Sequence, residues 1–281
     1  MLDWLLEPLT YGFMQRGLAA SVMVGVLCAV VGCYVVLRGM AFLGDALAHA
    51  ILPGVALAYL LKGNLMLGAL IAAVVVGLGI GMLSRQGKIR EDTAIGILFA
   101  AALALGVAMI STVQTYAVDL THILFGNILG VSPSDLLIIA VLGVIVIVTI
   151  VLLYKEFLVV SFDRVLAATL RLPVEVLRNL MLILIALTIV VSLQAVGVGL
   201  VAAMLVTPAA TAYLLTRRLP MMMVIAALIG AFSGVAGLYL SYYLNIASGA
   251  AVVLVATAVF VLAYVFAPRR GLLANALAAR R

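Results

Sequence analysis

Long apolar runs alternate with short polar stretches over most of the chain. Each run holds roughly the 20 residues that a helix needs to cross the hydrocarbon core of a bilayer. The pattern predicts nine membrane-spanning helices, at about 17–37, 42–61, 65–84, 93–112, 134–153, 181–196, 199–216, 221–242 and 250–267. The stretch SLQAVGVGL between the sixth and seventh is rich in glycine, so eight crossings with a re-entrant segment also fit the pattern.

The composition supports the same class of protein. Hydrophobic residues make up 68% of the 281 residues, charged residues only 9%, and the mean hydropathy is +1.40. Because soluble domains carry about 25% charged residues, we interpret the chain as an all-α polytopic membrane protein. Residues 17–267 form one transmembrane domain and residues 268–281 a basic tail. Residues 1–16, which Pro8 interrupts, are predicted to lie at the membrane interface.

The basic residues predict the orientation of the crossings. If the loop RQGKIRED (85–92) is cytoplasmic, alternation places every one of the 16 Lys and Arg residues inside except Arg16 and Lys62. This is the distribution that the positive-inside rule describes. We therefore expect a cytoplasmic C-terminus and an external N-terminus. The net charge of +6 is then a topology signal, and no nucleic-acid partner is expected.

One predicted span, within RGMAFLGDALAHAILPGVALAYLL (38–61), carries ionisable residues well inside its apolar pattern. A carboxylate such as that of Asp45 costs roughly 2.5–3.5 kcal/mol at the centre of a membrane helix, so it needs a partner or a function. His49 follows four residues later, on the same helix face and about 6 Å along the axis. A carboxylate with an imidazole suits Mn²⁺, Fe²⁺ or Zn²⁺. A polar pair that hydrogen-bonds to neighbouring helices is the competing interpretation.

Two prolines fall inside predicted membrane helices. Pro53 lies one turn after His49, where it removes a backbone hydrogen bond and bends the helix. Thr207 and Pro208 lie in VTPAATA, a run of small residues. We regard these three residues as candidates for a gate or hinge. For Thr207 and Pro208 a packing kink is the alternative.

Two connections are longer than a turn requires. The external one, 113–133, contains His122, which either receives a metal ion from outside or is a structural loop histidine. The cytoplasmic one, 154–180, mixes charged and apolar residues and has Pro173 between two helical runs. It predicts a pair of short amphipathic helices along the membrane face, which rest on lipid headgroups or dock a soluble partner.

Motifs of common membrane enzymes are absent from the sequence. There is no GxxxxGK[ST] phosphate loop, so the chain is not expected to hydrolyse ATP itself. There is no HExxH motif of a metalloprotease. Cys28 and Cys33 point about 140° apart on a helix, and we interpret them as packing residues rather than as a disulfide. An enzyme is therefore not expected.

Six segments, in their order along the chain, together resemble one family: the permease subunits of zinc/manganese/iron ATP-binding-cassette importers. The segments are RGMAFLGDALAHAILPGVALAYLL (38–61), EDTAIGILFA (91–100), DLTHILFGNILGVS (119–132), VSFDRVLAATLRLP (160–173), VGVGLVAAMLVTPAATAYLL (196–215) and GLYLSYYLNIASGAAVVL (237–254). The family is similar in architecture to the vitamin B12 and iron-siderophore importer permeases, which are all-helical and work as dimers.

The resemblance implies a metal pathway and a set of partners. Asp45 and His49 match the family's metal-pathway aspartate and histidine, and a two-fold dimer would bring up to four such ligands together. The partners implied are two cytoplasmic ATPase subunits, an extracellular or periplasmic metal-binding protein and a second permease copy, as a homodimer. The expected place is the cell membrane of a prokaryote, and the expected cargo is Mn, Zn or Fe, with no permanent cofactor.

The resemblance also implies a docking segment. Residues 160–178 match the cytoplasmic coupling helices that sit in a groove of the ATPase. The implied anchors are Phe162, Val165 and Leu166, and the residues that position them are Asp163 and Arg164. Arg171 stands where the family commonly has glycine, so the boundary between the two coupling helices is left open.

Two other functions compete with the importer subunit. A self-sufficient secondary transporter would use Asp45 and His49 as a proton relay and would work without an ATPase. A passive scaffold would tolerate Asn at position 45. The sequence does not distinguish among the three metals, nor a homodimer from a pair of different permeases.

Overall fold

The computed structural model describes residues 6–85, 89–111 and 128–267, and within these ranges it leaves the side chains of Arg164 and Gln194 undescribed. Every regular element in these ranges is helical. The α-helices are α1 (Gly12–Leu37), α2 (Leu43–Ala50), α3 (Leu52–Leu60), α4 (Leu65–Leu83), α5 (Glu91–Ser111), α6 (Pro133–Leu152), α7 (Tyr154–Phe162), α8 (Arg164–Thr169), α9 (Val174–Val196), α10 (Val198–Leu215), α11 (Leu219–Leu244) and α12 (Ser248–Phe266). Short 3₁₀ turns lie at Glu7–Thr10 and Ile128–Gly130.

The nine predicted crossings are confirmed. Over the described ranges, nine helical segments are long and apolar enough to span a bilayer, with α2 and α3 counted as one. Two boundaries differ most from the prediction: α1 begins at Gly12 rather than at 17, and α9 begins at Val174 rather than at 181. The added turns contain Arg16 and Arg178. Their charge ended the apolar runs from which the spans were predicted, whereas the helices themselves continue through these residues.

The glycine-rich stretch before the seventh crossing is a break between two full helices. Gly197 alone separates α9 from α10, with φ 80° and ψ 165°, a conformation that essentially only glycine adopts. Both helices have the length of a crossing. Of the two counts that the sequence left open, the structure therefore supports nine.

Helix α1 lies at the centre of the bundle. It packs against α10 and α11 along much of its length and also contacts α6 and α9. Its buried residues include both cysteines, which are free, and the Cys28 thiol donates a hydrogen bond to the Ser192 hydroxyl at 3.4 Å. The interpretation of Cys28 and Cys33 as packing residues is confirmed.

The segment between α6 and α9 contains the predicted pair of short helices, α7 and α8. The boundary between these two helices, which the sequence left open, lies at Asp163. Pro173 does separate two helical runs, but the second run is the beginning of the long helix α9 rather than a short helix. Asp163 is extended, and its carboxylate accepts hydrogen bonds from the backbone N–H groups of Val165 (2.8 Å) and Leu166 (2.9 Å), which begins a new helix. Pro173 instead caps the start of α9.

Candidate metal-ion site

Asp45 and His49 lie one turn apart on the same face of α2. The distance from His49 Nε2 to Asp45 Oδ1 is 3.7 Å, beyond a hydrogen bond but close enough for both atoms to contact one ion. The Asp45 side chain is 54% exposed and that of His49 31% exposed. The shared face that the spacing predicted is therefore present, and it is accessible.

The position of Asp45 along its helix differs from the expectation of a mid-membrane carboxylate. Asp45 lies in the first turn of α2, which begins at Leu43. The positive end of the helix dipole favours a carboxylate in such a turn. The remaining faces of α2 are anchored by buried residues such as Leu43 and Leu47, so the pair points away from the core.

A cleft of about 260 Å³ opens beside this pair, between α2 and α5. Its walls include Asp45, Phe99 and a second carboxylate, Asp92, from the first turn of α5. The ring centroids of His49 and Phe99 are 6.0 Å apart and tilted by 57°, so Phe99 packs beside the imidazole. Sequence reasoning missed Asp92 as a cleft residue, although it lies in the segment EDTAIGILFA.

One chain supplies an incomplete set of metal ligands at this point. Within the described residues, no group of three His, Cys, Asp or Glu side chains is close enough to hold an ion. Transition metals in proteins take four or more ligands. Asp45 and His49 therefore suit an ion whose other ligands are water or groups from a second chain.

The helix that carries the pair is interrupted immediately after it, as Pro53 predicted. Helix α2 ends at Ala50 and α3 begins at Leu52. Pro53 lacks the N–H that would bond to the carbonyl of His49, four residues earlier. That carbonyl accepts from the N–H of Ile51 instead. The break thus lies directly beside the proposed ligand.

Two neighbouring helices hold the break in place. On α5, a Cβ added to Gly106 would lie 2.7 Å from the Cβ of Leu52 and 3.0 Å from the backbone nitrogen of Pro53, so that helix packs tightly on the break. On α4, Gly68 is in direct backbone contact with Gly54. Movement at the break therefore requires movement of α4 or α5.

A buried arginine ties the other end of α4 to the start of α9. Arg178 is 2% exposed, and its Nη2 atom donates to the carbonyl of Gly81 and, at 2.8 Å, to the Glu175 carboxylate. Arg85 Nε lies 3.9 Å from the same carboxylate. Because α9 follows directly after α8, this cluster connects the segment of α7 and α8 to α4, the helix that packs on α3.

The end of α7 and the start of α8 present apolar side chains to the outside. Phe162, Val165 and Leu166 are 66%, 74% and 49% exposed, and Ala167 is buried beneath them. Exposed apolar clusters of this kind mark surfaces that bind a partner. Arg164 begins the helix, and its side chain lies outside the described part of the chain.

The remaining candidates are not brought to this cleft. Pro208 is buried inside α10, which continues through it, and the Thr211 hydroxyl donates to the carbonyl of Thr207 at 2.7 Å. Neither Thr207 nor Pro208 lines the cleft beside Asp45. His122 lies outside the described residues.

Comparison with known proteins places this architecture in a family. Residues 10–267 match the model of the ABC 3 transport family. The chain is 46% identical over 267 residues to the manganese transport system membrane protein MntC of Halalkalibacterium halodurans, covering 95% of this chain and 91% of that protein. It is 43% identical over 270 residues to a probable iron transport system membrane protein of Haemophilus influenzae, covering 96% and 99%.

A solved structure agrees with the sequence matches. The PsaBC complex of Streptococcus pneumoniae with a Fab superposes on this chain with a TM-score of 0.85 and 36% identity, covering 99% of both chains. The resemblance predicted from the six sequence segments is thereby confirmed. This chain belongs to the ABC 3 transport family.

Proposed function

We propose that this chain is the membrane-spanning permease subunit of an ATP-driven importer of a divalent transition metal, with manganese or ferrous iron as cargo. The observation that carries the proposal is the Asp45–His49 pair, 3.7 Å apart beside a helix break. The family match and the relatives named for manganese and iron transport support it. Carboxylate and imidazole together suit both ions.

Asp45 and His49 are proposed to replace water ligands as the ion crosses. A transport site must bind well enough to accept the ion and weakly enough to release it. Two protein ligands from one chain, of which Asp45 lines an open cleft of about 260 Å³, meet that requirement better than a closed set of four. The incomplete set also supports a permease homodimer, in which a second copy contributes its own pair.

The exposed side chains of Phe162, at the end of α7, and of Val165 and Leu166, in α8, are proposed as the docking surface for a cytoplasmic ATPase. Burying a side chain such as Phe162 or Val165 contributes about 1.5–3 kcal/mol each. Asp163 caps α8 and fixes the direction in which Val165 and Leu166 point. We propose that Arg164 makes a polar contact with the ATPase beside these apolar side chains. Two ATPase copies would serve a permease dimer.

The orientation of the chain in the membrane is proposed from residues that share one side of the bundle. The end of α1, helix α7 and the connection Arg217–Arg218 line a common cleft, and Arg85 lies beside Glu175 at the start of α9. Because these connections are basic, the positive-inside rule assigns this side to the cytoplasm, together with the C-terminus. The metal-binding protein would then deliver its ion at the opposite side.

Alternating access is proposed to use the break at Pro53 as a hinge. The break separates the ligand helix α2 from α3, and α3 is tied through α4 to the start of α9. Motion of the coupling segment would therefore reach the ligands through packed helices. Thr207 and Pro208 are assigned the role of a second bend, in the helix that packs against α2.

Dependence on an ATPase separates this proposal from a proton-coupled carrier. Uptake of Mn²⁺, Fe²⁺ and Zn²⁺ would be measured in cells that lack their own importer and that express this chain, its ATPase and its binding protein. We expect uptake of manganese or iron with the active ATPase, and none when the ATPase is omitted or cannot hydrolyse ATP. Uptake by this chain alone, driven by a proton gradient, would establish the carrier instead.

A further inference from the structure

Two adjoining depressions lie on the bundle away from the metal cleft. The first, of about 620 Å³, is walled by the end of α1, by α7 and by the connection between α10 and α11. The second, of about 440 Å³, opens between α6 and α11 over α1. Tyr154 and Pro220 line both, so the two depressions share a wall.

The first depression is basic. Arg217 and Arg218 line it, both exposed, and its other lining residues include no Asp or Glu. The hydroxyl-bearing residues Tyr154 and Thr216 lie in the same wall. A depression with two guanidinium groups and no carboxylate favours an anion, and guanidinium groups bind phosphate in a bidentate geometry.

The second depression is apolar. Val30 forms its floor, and Val151 and Val224, both exposed, form parts of its sides. It lies along the last turns of the membrane-spanning helix α6 and the first turns of α11, and apart from the Tyr154 hydroxyl its lining side chains are apolar. A groove of this kind at bilayer depth matches a hydrocarbon chain rather than a soluble protein.

We propose that the two depressions together form a binding site for one anionic phospholipid, with its phosphate on Arg217 and Arg218 and an acyl chain in the groove between α6 and α11. Basic pockets between membrane helices on the cytoplasmic side bind such headgroups. The choice of leaflet rests on the orientation proposed above, whereas the binding itself does not.

Other occupants fit the two depressions less well. A soluble ATPase can reach Phe162 at the edge of the basic depression but not the groove at bilayer depth. A second permease that completes the metal site approaches the cleft of α2 and α5, and neither helix lines these depressions. The lipid is the one ligand that fills both parts at once.

Lipid retention by the purified permease–ATPase complex tests the headgroup part. The complex would be incubated in mild detergent with phosphatidylglycerol or phosphatidylcholine, and the bound lipid would be counted by native mass spectrometry. Arg217→Gln/Arg218→Gln should weaken phosphatidylglycerol binding about 30-fold, and should weaken the binding of phosphatidylcholine, whose choline offsets the charge of its phosphate, much less. The control Arg90→Gln removes an exposed cation from another connection and should leave both unchanged. Equal losses in the double variant and the control would overturn the proposal.

A second pair of variants tests the groove. Val224→Trp fills the groove and should also reduce phosphatidylglycerol retention, whereas Leu228→Trp, one turn further on α11 and outside the groove's lining, should not. Inorganic phosphate at the lipid's concentration should fail to compete. If phosphate displaces the lipid, or if the permease retains the lipid only when the ATPase is absent, the site belongs to a free anion or to the ATPase, and the proposal is wrong. None of these readouts depends on metal transport.

Discussion

The backbones of Gly54 and Gly68 touch, so that a Cβ on either residue would overlap the carbonyl oxygen of the other. This contact holds α3 against α4 immediately after the break at Pro53. At its other end, α4 offers the carbonyl of Gly81 to the buried Arg178 of α9. Helix α4 thus connects the break beside Asp45 and His49 to α9, the helix that follows the coupling segment.

Replacing Gly54 by Ala should separate α3 from α4. The added Cβ would meet the backbone of Gly68, which has no flexible end to move aside, so we expect a loss of about 1–3 kcal/mol and reduced uptake. Thermal unfolding of the purified protein checks the stability. Gly199→Ala, in α10 with open space around the added Cβ, is the control and should unfold like the wild type. Identical melting of both variants would contradict the close contact.

Replacing Arg178 by Met should uncouple ATP hydrolysis from transport. The change removes the Arg178 donor from the Gly81 carbonyl, which keeps only the 3.5 Å contact from the Ser84 hydroxyl, and leaves Glu175 without its nearest cation, at a cost of about 1–3 kcal/mol. Because α8 is untouched, the ATPase should still bind and hydrolyse ATP while uptake falls. The exposed Arg85, changed to Met, should cost less than about 1 kcal/mol and leave coupling intact. Normal uptake by the Arg178 variant would remove α4 from the proposed path.

The sequence predicts the crossings and the ligand pair because both depend on local spacing. A run of about 20 apolar residues defines a span, and a separation of four residues places Asp45 and His49 on one face. Asp92 escaped notice because its nearness to Asp45 depends on how α5 packs against α2. Arg178 was missed because its charge ended the predicted apolar run before the first turns of α9. In the fold, the carbonyl of Gly81 and the carboxylate of Glu175 accept hydrogen bonds from Arg178, so the helix can contain it.

Replacing Asp163 by Ala should weaken the complex with the ATPase. The carboxylate caps α8 through the N–H groups of Val165 and Leu166, and loss of such a cap costs about 1 kcal/mol. Asp163→Asn keeps an accepting oxygen and should retain the complex. Co-purification of the ATPase at increasing salt measures the difference. If Ala and Asn behave alike, the role of Asp163 is something other than the cap.

Replacing Arg171 by Gly should be tolerated or slightly stabilising. Arg171 has φ 56°, in the left-handed region that glycine adopts without the steric cost of a Cβ. We expect Arg171→Gly to gain up to about 1 kcal/mol, and Arg171→Val, which is β-branched, to lose about 1–2 kcal/mol. Denaturation midpoints of the two variants give the comparison. A Val variant as stable as the Gly variant would contradict the left-handed conformation.

The most direct test of the central claim is the initial rate of manganese uptake by Asp45→Asn and His49→Ala, at matched surface expression and with the ATPase and binding protein present. If the pair carries the ion, each change should lower uptake about tenfold or more, since even residues that only support metal ligands cost that much. ATP hydrolysis by the complex should persist, and Asp163→Asn, the matched control, should transport normally. Uptake at the wild-type rate in both ligand variants would show that Asp45 and His49 only pack the helices and that the ion takes another path.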